Sequence, residues 1–210
     1  MNWGTFLQNK YYRSEFIISI VLLTIVLFAF ANFLNFNESR NGITLADPVL
    51  HFYKAVNLTW LTFGLIYSSI VIVLFTLVTN PGRLIFTIQC YSLLLLTRMV
   101  MMYLLPLNPP KGMILLNDPF VQLFGTGQIL TKDLFFSGHT ATIFLFYLVS
   151  EKKAYRIFFL LATILVGVSV LLQHVHYVID VVSAPFFSYL SYRLVYLLQT
   201  RKLNLSVIEA

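Results

Sequence analysis

The chain has 210 residues, 59% of them hydrophobic and only 10% charged, with a mean hydropathy of +0.82. Ordinary soluble domains carry roughly a quarter charged residues, so a soluble globule is excluded. The net charge of +6 comes from basic residues scattered between apolar runs rather than gathered into a patch, which excludes nucleic-acid binding, and a lone Cys90 excludes an intrachain disulfide or a thiolate metal cluster.

A helix needs about 20 mostly apolar residues to cross a bilayer, and six stretches qualify. In chain order the predicted spans are Phe16 to Phe36, Ala55 to Thr79, Leu84 to Leu105, Leu134 to Ser150, Ala154 to Gln173 and His174 to Leu198. The first is too long for a signal-peptide core and is followed by Asn37-Glu38-Ser39-Arg40 rather than a cleavage site, so it stays as an anchor. Asn80-Pro81-Gly82 and Glu151-Lys152-Lys153 are tight breaks, and Pro106 to Asp133 is a long connection of the kind that usually carries function. No internal repeat or low-complexity tract appears, so residues 1–210 are expected to form a single polytopic domain, an all-α six-helix membrane bundle.

An even number of spans puts both termini on one side, with Lys10, Arg13, Arg83, Lys152, Lys153, Arg156, Arg193, Arg201 and Lys202, nine of the 14 basic residues. Arg40, Lys54, Lys111 and Lys132 fall on the other. The positive-inside rule then predicts cytoplasmic termini and an exoplasmic Pro106 to Asp133 loop. Arg193 is expected to snorkel to the cytoplasmic surface.

Ionisable groups inside spans are costly and point to function. Phe136-Ser137-Gly138-His139-Thr140 opens the fourth span, where a helix N-terminus and a glycine would let a phosphate approach the backbone, with His139 beside it. His176 and Asp180 stand at i and i+4 at the start of the sixth span; a hydrogen bond from one ring nitrogen to Asp180 would leave the other nitrogen a free nucleophile. Arg98 lies ~10 Å below the outer end of the third span and suits bidentate contact with phosphate oxygens. Span counting and charge bias, which use none of these motifs, place all three at one membrane face. Asp133 reads either as a solvated cap or as a residue at the rim of the site. A metal site built from His51, His174, His176 and Asp180 is a weaker alternative, since no acidic pair flanks them at ligand spacing. Asn37-Glu38-Ser39 and Asn57-Leu58-Thr59 have the form of glycosylation sequons.

Three blocks, Arg98 to Pro109, Asp133 to Thr142 and His174 to Val182, give the second half of the chain a resemblance to the sphingomyelin synthases, a lipid branch of the type 2 phosphatidic acid phosphatase superfamily. The wider superfamily's Lys-x6-Arg-Pro block and the Ser-Arg pair before its last histidine are missing here, which favours the synthase branch; Val175 stands where an acidic residue is expected. The resemblance implies a catalytic trio of His139, His176 and Asp180, with Arg98, Ser137, Gly138, Tyr103, Asp133 and Tyr177 at the substrate. It implies transfer of a phosphocholine-type or phosphoethanolamine-type headgroup from a phospholipid donor to a lipid alcohol acceptor such as ceramide, through a phosphohistidine on His176, with no metal or cofactor. Tyr103, Phe135, Phe136, Tyr177, Pro185, Phe186 and Phe187 are the candidates to shape the acceptor site. A lipid phosphate phosphatase or headgroup hydrolase on the same residues is the runner-up. A channel or transporter is a third class, for which broken helices in matching halves are missing.

Overall fold

A computed structural model describes residues 3–116 and 130–208, the side chains of 201–208 excepted. Residues 117–129 of the long loop lie outside the described residues. The helices are α1 (Trp3–Gln8), α2 (Lys10–Ser39), α3 (Thr59–Val78), α4 (Pro81–Leu104), α5 (Gly138–Val149), α6 (Lys153–Leu172) and α7 (Val178–Ile208). Among the described residues no strand forms beyond an isolated pairing of Ile43 with Leu107. The protein is an all-α, multi-pass integral membrane bundle, in which α2, α3, α4, α6 and the Val178–Thr200 part of α7 are long and apolar enough to cross a membrane.

The apolar sequence makes these helices because in hydrocarbon the backbone must satisfy its own hydrogen bonds. Hydroxyls inside the spans bond back to carbonyls one turn earlier, as Ser68 Oγ does to Gly64 O and Ser69 Oγ to Leu65 O, both at 2.7 Å. α4 starts where Asn80 Oδ1 accepts the Arg83 N–H at 3.2 Å and Pro81 opens the helix. α2 buries only 11% of its most apolar stretch and packs on α4 at the rim of the bundle.

The fourth predicted span is corrected. Its helix, α5, has 12 residues rather than the 17 of Leu134 to Ser150, and Leu134 to Ser137 lead into it without helical structure. At ~1.5 Å per residue, α5 is about 18 Å long and cannot cross a bilayer alone. It does not have to meet lipid: α4, α6 and α7 surround it, and Leu134, Phe135, Phe136 and Ser137 are all buried. Non-helical backbone is tolerated at such depth where protein encloses it. The sixth span is shifted as well, since α7 begins at Val178 and leaves His174 to Tyr177 in a turn.

The ends of α2, α4 and α6 meet the starts of α3, α5 and α7 at one end of the bundle. There Gln173 Oε1 accepts the Leu58 N–H at 2.5 Å, and Gly42 lies so close to the Leu107–Asn108 backbone that a Cβ would come within 2.6 Å of Leu107 C. At the opposite end Trp3 Nε1 donates to Val78 O at 2.6 Å, and Gln89 joins Ser19 of α2 to Gln199 of α7.

Candidate active site

The chain enters the site through a clamp at the end of α2. Glu38 accepts the Thr131 and Lys132 N–H groups, both at 2.9 Å, and the Thr131 hydroxyl at 2.5 Å. Asn37 donates its side-chain amide to Lys132 O at 2.7 Å. Asn37 is thus buried in helical structure, and its sequon form does not correspond to an accessible loop. Beyond the clamp Phe136 stacks on Phe187 of α7, with ring centroids 4.5 Å apart. The Ser137 N–H then donates to Asp180 O at 3.1 Å, which joins the second and third sequence blocks directly.

Ser137 precedes α5 but does not cap it; its hydroxyl pairs with Thr140 Oγ1 at 3.0 Å. What stands against the start of α5 is a cation. Arg98 donates from Nε to Phe136 O at 3.1 Å and from Nη2 to Asp133 Oδ1 at 2.6 Å, and its guanidinium lies over Gly138. A Cβ on Gly138 would sit 2.6 Å from Arg98 Cζ and 2.9 Å from Nη2. Only glycine admits this approach. The arrangement is electrostatically unusual, because a helix N-terminus carries about +0.5 charge and favours anions. Arg98 is only 5% exposed and Asp133 offsets a single charge, so the positive end of α5 and the guanidinium together form a field suited to a further anion. Of the two readings open for Asp133, the structure shows a partner of Arg98.

His176 and Asp180 meet by a different route from the expected shared helical face. His176 lies in the turn before α7, and Asp180 sits in the first turn of the helix. Asp180 Oδ2 accepts the Tyr177 N–H at 3.0 Å, as the N3 residue of a capping box does, and the same oxygen lies 3.4 Å from His176 Nδ1. With Nδ1 turned to the carboxylate, Nε2 is the nitrogen left for chemistry. Asp180 is wholly buried, and among the described residues its Oδ1 has no hydrogen-bond partner, so the carboxylate is held with capacity to spare. Asp47, which sequence reasoning missed, accepts the Val178 N–H at 2.8 Å and fixes the same turn. An acidic residue before a proline in a loop between spans was the available signal.

His139 follows Gly138 in the first turn of α5, half-buried, with its ring edge-on to Phe63 of α3 at 6.3 Å. Tyr177 is buried; its hydroxyl donates to Asn108 O at 2.9 Å and accepts the Leu45 N–H at 3.3 Å. Burial raises its pKa above the ordinary tyrosine value, and it stays a neutral donor that ties two loops to α7. Tyr103 is not drawn into this cluster: its ring is exposed and carries the Arg40 guanidinium at 4.8 Å. Phe186 is 63% exposed, whereas Phe135 and Phe136 are packed. The residues of the metal alternative are not assembled either, since His51 lines a cavity with Asp47, Lys111 and Tyr177, His174 Nδ1 bonds Lys111 O at 3.1 Å, and among the described residues no three His, Cys, Asp or Glu side chains could hold a metal together.

Fold and site together describe a multi-pass membrane protein in which a buried arginine lies over the start of a short helix, one hydrogen bond away from a buried His–Asp pair. Residues 132–198 match the family model described as PAP2 superfamily C-terminal. This match, which spans less than half of the chain, supports the type 2 phosphatidic acid phosphatase superfamily and points to phosphatase or phosphotransferase chemistry on lipid phosphates. No curated protein and no solved structure matches the chain significantly.

Proposed function

We propose that the protein transfers a phospho-headgroup from a phospholipid to a lipid alcohol such as ceramide, with the site on the exoplasmic face and the termini in the cytoplasm. The observation that carries this reading is the Arg98 guanidinium held over Gly138 at the start of α5, one residue before His139 and one hydrogen bond from the His176–Asp180 turn. His176 Nε2 attacks phosphorus, the bond from phosphorus to the diacylglycerol oxygen breaks, and His139 gives that oxygen a proton, because an alkoxide leaves poorly. His139, now a base, takes the proton of the acceptor hydroxyl, whose oxygen displaces His176. Arg98 and the α5 N–H groups stabilise the phosphoryl oxygens through both steps.

Hydrolysis is the second reading. The family match favours lipid phosphate chemistry without distinguishing alcohol from water, and a cavity of about 320 Å³ lined by Asp47, His51, Lys111 and Tyr177 brings a polar space to the residue next to His176. Incubation of the purified protein with fluorescent ceramide and defined phospholipids, with and without His176→Ala, separates the two. Transfer yields a fluorescent phospho-headgroup lipid that the variant does not make. Release of free phospho-headgroup alone replaces the proposal with the hydrolase reading.

A further inference from the structure

The end of the bundle opposite the candidate active site holds a cavity of about 410 Å³, within the size range of small-molecule sites. Arg83 in the first turn of α4, Ser150 and Glu151 between α5 and α6, Arg156 in the first turn of α6, and Phe86 with Tyr192 line it. Phe86 and Tyr192 meet edge to face at 5.3 Å. Two guanidinium groups face one carboxylate, and Lys152 and Lys153 flank them. Glu151 pairs with Arg83. Arg156 has a hydroxyl and a ring as its partners: it donates to Tyr147 Oη at 3.2 Å and lies 5.0 Å from that ring's centre.

We infer that this cavity binds the phosphate group of an anionic phospholipid in the leaflet opposite the reaction site. Its charge has the sign for a phosphate, and a guanidinium pairs with phosphate oxygens through parallel hydrogen bonds. Its position at the ends of membrane-crossing helices puts it at headgroup level. The lipid source, rather than free phosphate, is favoured by the surface beside Arg156. Leu160, one turn further along the same face of α6, is 39% exposed, which offers an acyl chain apolar contact next to the charged mouth. This inference does not depend on the phosphotransferase reading.

The test is thermal unfolding of the full chain in dodecyl maltoside with dioctanoyl phosphatidylglycerol, dioctanoylglycerol or inorganic phosphate. Near-saturating phosphatidylglycerol should raise Tm by roughly 5 °C or more in the wild type and equally in His176→Ala. Arg156→Gln should lose the shift, and Ser150→Glu, which adds a negative charge at the cavity wall, should lose it independently. An equal shift with dioctanoylglycerol overturns recognition of phosphate, and an equal shift with inorganic phosphate overturns the lipid source. A phosphatidylglycerol shift that survives both cavity variants, or that disappears in His176→Ala, overturns the site.

Discussion

Gly138→Ala is the sharpest probe of the geometry, because general propensity and this structure give opposite signs. In a helix interior alanine is favoured over glycine by about 1 kcal/mol, and at the first residue of α5 this sets an upper bound, so a glycine without a special role does not lose stability on substitution. Here the added methyl would lie 2.6 Å from Arg98 Cζ and must push the guanidinium away. That movement strains the bonds to Phe136 O and Asp133 Oδ1. Hydrogen bonds to charged groups are worth about 1.5–3 kcal/mol each, and losing most of both, less the propensity gain, leaves a net cost of roughly 2–4 kcal/mol. Tm in detergent should fall by about 5–15 °C. Turnover should fall by about 10²–10³-fold, the usual cost of removing one electrostatic stabiliser. An Arg98→Ala background removes the three atoms nearest the methyl, and Gly138→Ala should be neutral or stabilising there. A Gly138→Ala protein as stable and active as the wild type would refute the close approach and the anion field built on it.

The other predictions concern topology, the trio and the clamp. Single cysteines placed between Pro106 and Leu116, with Cys90 replaced, should label from outside intact cells; labelling only after permeabilisation reverses the proposed orientation. Alanine at His139, His176 or Asp180 should each abolish turnover with helix content unchanged by circular dichroism, while Asp180→Asn, which can keep the Tyr177 cap, should retain more activity than loss of either histidine. Glu38→Gln keeps the shape of the clamp but loses its charge-assisted bonds to residues 131 and 132; it should slow turnover several-fold and lower Tm, and an unchanged rate would mean that the clamp does not position Arg98's partner Asp133.

Hydropathy made the spans legible because runs of about 20 apolar residues have few soluble alternatives. It misjudged the fourth because Leu134-Phe135-Phe136 is apolar for a different reason: these side chains fill protein interior around a non-helical entry to α5, and a transfer scale does not separate burial in protein from burial in lipid. The His176–Asp180 pair was visible at its spacing, but its cause was not. Tyr177 is an unusual cap residue, so nothing in the local pattern marked the end of the turn or the role of Asp180 in closing it. Arg98 was marked by its cost within an apolar span, whereas its bond to Asp133 crosses 35 residues and that of Glu38 to Lys132 crosses 94. Such pairs are set by how helices return to the same end of the bundle, which local spacing does not encode.

The central claim is a covalent phosphohistidine on His176, common to transfer and hydrolysis. A ³²P-labelled donor with a nitrophenolate leaving group removes the need for the acid, because that oxygen departs without a proton. His139→Ala then permits formation of the intermediate but lacks the base that discharges it. The account predicts protein-bound label in His139→Ala that is stable in alkali and lost in acid, and no label in the His139→Ala/His176→Ala double variant. Absence of label in the single variant, or label that persists when His176 is replaced, would contradict it.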